Sequence, residues 1–595
     1  MAISDVLNSS KLGLFASQGA MKVISHNIAN VNTKGYSRQT ISLEANPGIV
    51  MSGLQTSSGD GVQIARVGHQ VDDLLERRLR MGSGDIGRLA ARDRFMTVIE
   101  NNFNEIDGDG LSDRFNAFFD AVDDAVSNPS NPAARIQVVS RSQGLANTVN
   151  QMSRTLEDIA VPVDQEITGV IGDINTKLRS LQEINTLIVR QSAGNRGGDA
   201  ALDLADQRTG LLQELNELID IQSIEQPDAG VTIVTLAGQL LLDHDYVAQL
   251  GRGRASSGEM PSAIVVDGNI DVDITTQIRS GALKGLLEVR DEILGGDRGL
   301  ISQFEQLTSE FRQQVNAVYA QSVGHSMNQR LTATTQVNPD VPLRDIFGAS
   351  IRTDEIVSPD GAVAPREIVF AYGSDVNNLN RTGSRTISIT GETTLRGLID
   401  EINGSGSGIT ARENNGQLVI DAGEADRFAV FSDTSGVLTA LGVGTLFSGS
   451  NAANMAVNPE LLVEKGGDPG RLATARIRTD SSGNVRFDDS NNSGMVALAA
   501  LRSQRINLLG ERATFASHYA TLVSQVGSIQ QRNQDALTTQ RTAQQFLSDN
   551  RESVSGVSLD EELTDMVKFQ RAFQASSRMV SVADELFKSI LSMGV

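Results

Sequence analysis

Five histidines are the side chains of this sequence best able to ligate a transition metal or move protons near neutral pH, because cysteine is absent. His26, His69, His244, His325 and His518 are scattered and show no metal-ligand spacing, so each reads as a structural or surface residue. Glu105, Asp107 and Asp109, followed by Gly110, have the look of the start of a calcium loop. Counted from Glu105, however, the twelfth position is Asn116 rather than a bidentate Glu, and the first is Glu rather than Asp. A loop that initiates a helix over Phe115–Val126 accounts for the cluster better. No phosphate-binding loop, nucleophile elbow or dinucleotide fingerprint is present, and the lack of cysteine excludes disulfides, thiol nucleophiles and Cys-ligated zinc. The residue types therefore point away from an enzyme, and neither cofactor nor metal is expected.

The bulk numbers exclude further classes. The formal net charge is −22, from 51 basic against 73 acidic side chains, which is the wrong sign for nucleic-acid binding. Lys11, Lys22, Lys34 and Arg38 do outnumber Asp5 near the N-terminus, a pattern that usually marks a solvated face. No apolar run approaches membrane-spanning length, so membrane insertion is not expected. Residues 12–24 are broken by Ser17, Gln18 and Lys22 and lack a small-residue cleavage site, which argues against a signal peptide. A chain of 595 residues must divide into several domains. With 39% hydrophobic residues, 4% aromatics and no Trp, much of it should lie in elongated helices or thin domains.

Periodicity then places the elements. Leu7, Leu14, Met21 and Ile28 recur every seven residues at the N-terminus, beside Ile3, Ile24 and Val31. Leu559, Met566, Phe573, Val580 and Phe587 do the same at the C-terminus, flanked by Leu563, Phe569, Ala583 and Ile590. Such repeats predict helices that seek partner helices, and their position at opposite ends suggests a chain that closes on itself. Gly13 and Gly19 each weaken the first helix by about 1 kcal/mol, so alone it should be marginal. Between the ends, helical spacing covers about residues 71–220, with a break at Asn128–Pro132, then about 283–323 and about 496–547. Strands are expected at Val231–Val234, Ala263–Val266, Glu367–Ala371, Thr386–Ile389, Leu418–Asp421 and Ala429–Phe431, with a short helix ending near Ile402.

The predicted fold is α+β and multidomain: a terminal α-helical coiled coil and a long-helix stem built from both ends, carrying inserted β-rich outer domains. In residue terms, 1–45 and 552–595 form the terminal assembly domain, and 46–225, 281–323 and 493–551 form the stem. Residues 226–280 form a small β-rich insertion and 324–492 a larger one.

After the first helical stripe comes a segment unusually dense in Asn: Asn27, Asn30, Asn32, Thr33, Gly35 and Tyr36 within Ile24–Tyr36. Physically it is a helix stop followed by a sharp bend into an extended Ser37–Leu43. This stretch resembles the N-terminal signature of bacterial flagellar rod, hook and hook-associated proteins. Ser37-Arg38-Gln39, the Leu111–Phe119 and Asn128–Arg135 segments, Asp433–Gly442, and the closing Leu559–Glu562, Phe569–Ser576 and Ala583–Glu585 all resemble the hook-associated branch. Lys34 stands where rod and hook relatives often carry Pro, which leaves the turn without a rigid residue.

The resemblance implies a secreted, extracellular structural protein of the flagellum, exported through the type III apparatus and forming a junction ring between hook and filament. It implies as partners further copies of the chain, the hook protein, the second hook-associated junction protein, and an export chaperone at the C-terminal helix. The assembly interface would run along Leu7, Leu14, Met21, Ile28, Leu559, Met566, Phe573, Val580 and Phe587. Two other readings stay open: an adhesin using the β-rich insertions, disfavoured by the scarcity of aromatics for sugar stacking, and another axial protein of hook or rod type.

Overall fold

The computed structural model describes the chain except residues 1–2, 34, 47–60, 104–109, 194–198, 254–262, 325–326, 358–362, 374–386, 407, 424–425, 477, 480–484, 487–490, 509 and 594–595. The acidic cluster at Glu105, Asp107 and Asp109, together with His325, Lys34 and Thr386, lies outside the described residues.

In chain order the helices are α1 (Ile3–Ala29), α2 (Asp73–Phe103), α3 (Leu111–Ser127), α4 (Pro132–Ala193), α5 (Asp199–Leu218), α6 (Gly281–Leu287), α7 (Leu300–Tyr319), α8 (Leu343–Phe347), α9 (Leu395–Asn403), α10 (Val437–Leu441), α11 (Ser493–Ala500), α12 (Phe515–Ser555) and α13 (Leu559–Met593). A hairpin of β1 (Gln39–Ala45) and β2 (Val62–His69) follows α1. The α+β multidomain class read from the pattern is the one observed. Pro132 opens α4, where its missing N–H is no loss. Leu145, Val149, Leu156, Ile174, Leu178 and Leu181 are buried along α4, as their spacing requires.

Two helical expectations are corrected. The stretch read as helix over 283–323 is broken: α6 runs into a wider π turn at Glu288–Leu294, and Gly295-Gly296 separates that from α7. The stretch read as one helix from Val496 is also interrupted. A hairpin pairs Ile506–Leu508 with Glu511–Ala513 around Gly510, whose φ of +83° suits a turn and not a helix. The long helix begins only at Phe515.

The chain divides into two compact units. The first comprises residues 1–95, 162–289 and 531–595. It holds two small antiparallel sheets: Ile221–Glu225, Val231–Thr235, Leu240–Asp243 and Tyr246–Val247 in one, and Leu250–Gly253, Ala263–Val266 and Asn269–Asp273 in the other. Asn175 on α4 closes onto the second sheet, exchanging hydrogen bonds with the Leu250 backbone in both directions at 2.8 Å. At the start of α6, Gly281 takes φ +86° with the backbone of Leu218 and Ile219 directly against it. A Cβ there would be strained in φ and would collide with main chain, so Gly281→Ala should destabilise the first unit by about 2–4 kcal/mol. Circular-dichroism melts of the full chain would read this as loss of the corresponding transition.

Asp220, just past α5, is buried and accepts the Arg279 backbone N–H at 3.1 Å. Its second carboxylate oxygen has no hydrogen-bond partner, and burial pushes the carboxyl up to about 6. The folded state thus holds a proton that the unfolded chain releases near pH 3.8, so this group's stabilisation is complete at low pH and is lost as pH rises through about 6. Asp220→Asn should remove that dependence, raising the melting temperature relative to the parent chain at about pH 7.5 and much less at about pH 4.5.

The second unit comprises residues 96–161 and 290–530. Its helical part is centred on an aromatic cluster in which Phe311 packs edge-on against Phe115 (4.9 Å between ring centres) and Phe515 (5.2 Å). The inserted β-rich part has its own apolar core, including Ile368, Leu395, Leu398, Leu418, Ile420, Phe428 and Leu441. Its strands include Glu367–Tyr372, Ile387–Ser388, Gln417–Asp421 and Phe428–Asp433, within one or two residues of the sequence expectation. Thr394 caps α9 by accepting from the Gly397 N–H.

Candidate assembly interface at the chain ends

The terminal helices α1 and α13 pack against each other within the first unit. Asn27 faces Glu562 and Gly13 faces Ser576, so 14 residues along α1 (27 − 13) match 14 along α13 (576 − 562) in the opposite direction. The pair is antiparallel. The α1 side of the seam is made of small residues: Gly13, Ala16, Ser17 and Ala20, widening to Val23, Ile24 and Asn27. On α13 the half-buried Met566, Phe569, Phe573 and Val580 and the buried Ala583 fill it. Small residues on one helix let the large side chains of the other lie flat between two close axes.

The other face of α1 is covered by the hairpin, where Ile64 of β2 lies over Gly19. This placement separates the predicted stripes. Met566, Phe573 and Val580 lie at the seam, whereas Leu559 and Phe587 remain exposed at either end of α13. On α1, Leu14, Met21 and Ile28 are half-buried on the flank beside the seam, and Leu7 is exposed. The residues that actually pack on α13 are each one position earlier, a slip of about 100° around the helix.

The root of the pair is a polar knot centred on Asn27, which is 1% exposed. Its amide oxygen accepts from the Tyr36 hydroxyl (2.8 Å) and the Gln39 backbone N–H (3.0 Å). Its amide nitrogen donates to the Gln39 carbonyl (2.9 Å) and to Glu562 (3.2 Å). Asn30 donates to the His26 carbonyl and accepts from Thr33, closing the end of α1. Gly35 supplies the bend with φ +84°, and Tyr36 is buried with His26 Nδ1 at 3.0 Å from its hydroxyl. Asn32 and Thr33 are exposed. The signature residues thus join α1, β1 and α13 at one point.

Several members of this knot lie outside the apolar stripes. Arg38 reaches Glu562 at 2.7 Å and Glu561 at 2.9 Å. Arg551, at the end of α12, donates to Glu76, to the Gly35 carbonyl and to the Ser37 hydroxyl. From α5, Asp206 accepts the Ser37 backbone N–H at 3.0 Å and Asp203 accepts from Gln39 at 3.1 Å. Burial pushes the Asp206 carboxyl above its ordinary range and the neighbouring His69 imidazole below its own. Opposite charges at Arg38 and at Glu561-Glu562 were a usable signal for pairing the two ends; nothing local marks Asp203 or Asp206.

Of the other histidines, His244 lies between Asp228 and Asp243 at the surface and His518 is buried. Among the described residues no group of three His, Asp or Glu side chains converges as metal ligands, and no helix is long and apolar enough to cross a membrane.

Two chain ends that form one antiparallel helical element, rooted in an Asn-centred knot and enclosing strand-rich insertions, define a multidomain structural subunit. Several known proteins are similar in sequence to this chain. Residues 96–331 match the helical domain of the flagellar hook-associated protein FlgK, and 7–36 match the flagella basal body rod protein family. Residues 544–593 match the C-terminal region of the flagellar basal body rod FlgEFG proteins, and 367–424 the flagellin hook IN motif. Flagellar hook-associated protein 1 of Salmonella typhimurium is 26% identical over 99% of this chain and 100% of its own length. Its counterparts in Escherichia coli and Bacillus subtilis are 25% and 23% identical, each over 99% of this chain. The solved structure of the flagellar hook junction protein FlgK from Burkholderia pseudomallei aligns at 15% identity with a TM-score of 0.49, over 80% of this chain and all of that one. Over nearly its whole length the chain is similar to the flagellar hook-associated protein 1 family, structural proteins of the bacterial flagellum.

Proposed function

We propose that this chain is a subunit of the junction between hook and filament, where copies associate into a ring through their terminal helices. The observation that carries the reading is the unfinished state of the α1–α13 pair. Leu7, Phe15, Leu559, Leu563, Val567, Met579, Val582, Leu586 and Phe587 are all exposed on two helices, although apolar faces of this extent are normally covered. Neighbouring subunits would cover them, with the hook protein on one side and a second hook-associated protein on the other. Such a surface is a hazard before assembly, which gives a physical reason for a chaperone on α13 during type III export to the cell exterior.

Removing residues 559–595 tests the reading. The truncated chain should retain the fold of its second unit, which contains none of these residues, yet fail to enter flagella or support filament growth. Incorporation of the truncated chain at normal levels would sink the proposal.

A further inference from the structure

The exposed stripes also point to which surfaces meet between copies, a step that rests on the assembly reading above. On α1, Leu7, Lys11, Phe15, Gln18 and Lys22 fall at spacings of four, four, three and four and so form one stripe. Phe15 is 55% exposed and Lys11 lies over its ring, 5.8 Å from the centre. The described charges of this stripe are both positive. On α13, Leu559, Leu563 and Val567 form a stripe at four-residue spacing and are 46%, 53% and 47% exposed. Asp560, Glu561 and Asp565 surround it, with Glu561 partly engaged by Arg38 and Asp565 by Lys568 at 3.7 Å.

The two stripes match in two respects. Leu7 and Phe15 are eight residues apart, as are Leu559 and Val567, and the cationic surroundings of one complement the acidic surroundings of the other. Within one molecule they cannot meet. In the antiparallel register set by Asn27–Glu562 and Gly13–Ser576, Lys11 lies level with residue 578, which is 15 residues from Leu563 (578 − 563). That is a separation of about 22 Å along the helix.

We propose that the Leu7–Lys11–Phe15 stripe of α1 is the docking surface for the first three turns of α13 from a second copy of this chain. The contact is heterologous: each copy offers α1 to one neighbour and the start of α13 to another. Such contacts close into a ring or continue as a helix, and never stop at a two-fold dimer. Displacement along the axis by about four turns, the 22 Å above, brings the two stripes level. Lys11 then lies within one turn of Asp560 and Glu561 of the neighbour beside an apolar centre, an arrangement that fixes register as much as affinity.

The absence of cysteine makes the test direct. Full-length Phe15→Cys and Leu559→Cys chains, whose altered positions lie level in this register, would be co-expressed in flagellated cells lacking their own copy, and isolated flagella oxidised and run on a non-reducing gel. A disulfide-linked dimer that requires both variants is expected, and Phe15→Cys with Val582→Cys should give none. Assembled flagella without the Phe15–Leu559 dimer, or with a Phe15–Val582 dimer instead, would overturn the proposal while leaving the assembly reading intact. Failure of the unaltered chain to enter flagella at all would overturn both. A charge swap gives an independent arm: Lys11→Glu should lose swarming, and Lys11→Glu combined with Asp560→Lys should recover it. Loss without recovery counts against the contact.

Discussion

Asn27→Asp loosens the terminal pair by about 3–5 kcal/mol, although the two side chains have nearly the same shape. The amide of Asn27 uses both ends: the oxygen accepts twice, and the nitrogen donates to the Gln39 carbonyl and to Glu562. An ionised Asp keeps the acceptors but replaces the donor with a carboxylate oxygen that would face the Glu562 carboxylate across 3.2 Å in a buried site. Like charges in such a setting repel strongly, and neither has water to turn to. Hydrogen exchange over residues 20–40 should accelerate accordingly. Because a protonated carboxyl can donate again, acidification should restore part of the protection in Asn27→Asp. Asn27→Ala, which leaves the Gln39 N–H and carbonyl unpaired, should show no such recovery. Equal exchange in all three proteins would mean that the knot does not hold the pair.

Phe573→Asp should abolish assembly. In the antiparallel register Phe573 lies opposite Ala16, where the small α1 side chain leaves room for a ring and none for a hydrated carboxylate. The substitution removes the ring's apolar contact and puts a charge against a seam of Ala16, Ser17 and Ala20, a change of about 2–4 kcal/mol. Since α1 carries two glycines and has little helical stability of its own, a loss of that size is enough to fray it. Flagella isolated from cells carrying only Phe573→Asp should lack the chain and the filament beyond it. Phe573→Leu, which keeps the seam apolar, should retain both.

Much of this was legible in the sequence because it depends on period and on turn chemistry. The α13 heptad at Met566, Phe573 and Val580 does face α1, and the Asn-rich segment does form the stop and bend. The α1 stripe was harder. Large apolar residues mark Leu7, Leu14, Met21 and Ile28, yet the seam uses Gly13 and Ala20, one position before Leu14 and Met21, with Ala16 and Ser17 between them. Small residues pack helices closely and leave almost no hydrophobic signal. The same blindness explains the missed hairpin at Ile506–Ala513: its few apolar residues fit helical spacing, and only Gly510 marked the turn. The ties from Asp203, Asp206 and Arg551 depend on tertiary placement of α5 and α12, which no local pattern encodes.

Thiol labelling at the exposed stripes tests the central claim most directly, because the native chain has no cysteine to interfere. Leu563→Cys and Leu586→Cys chains would be treated with a maleimide as free protein and again in isolated flagella. Both positions should label readily in the free chain, where each side chain is about half exposed. Both should be protected after assembly, with reactivity returning when the flagella are dissociated. Equal labelling of free and assembled chains at both positions would mean that neighbouring subunits leave these stripes uncovered, and that α1 and α13 serve only to close the chain on itself.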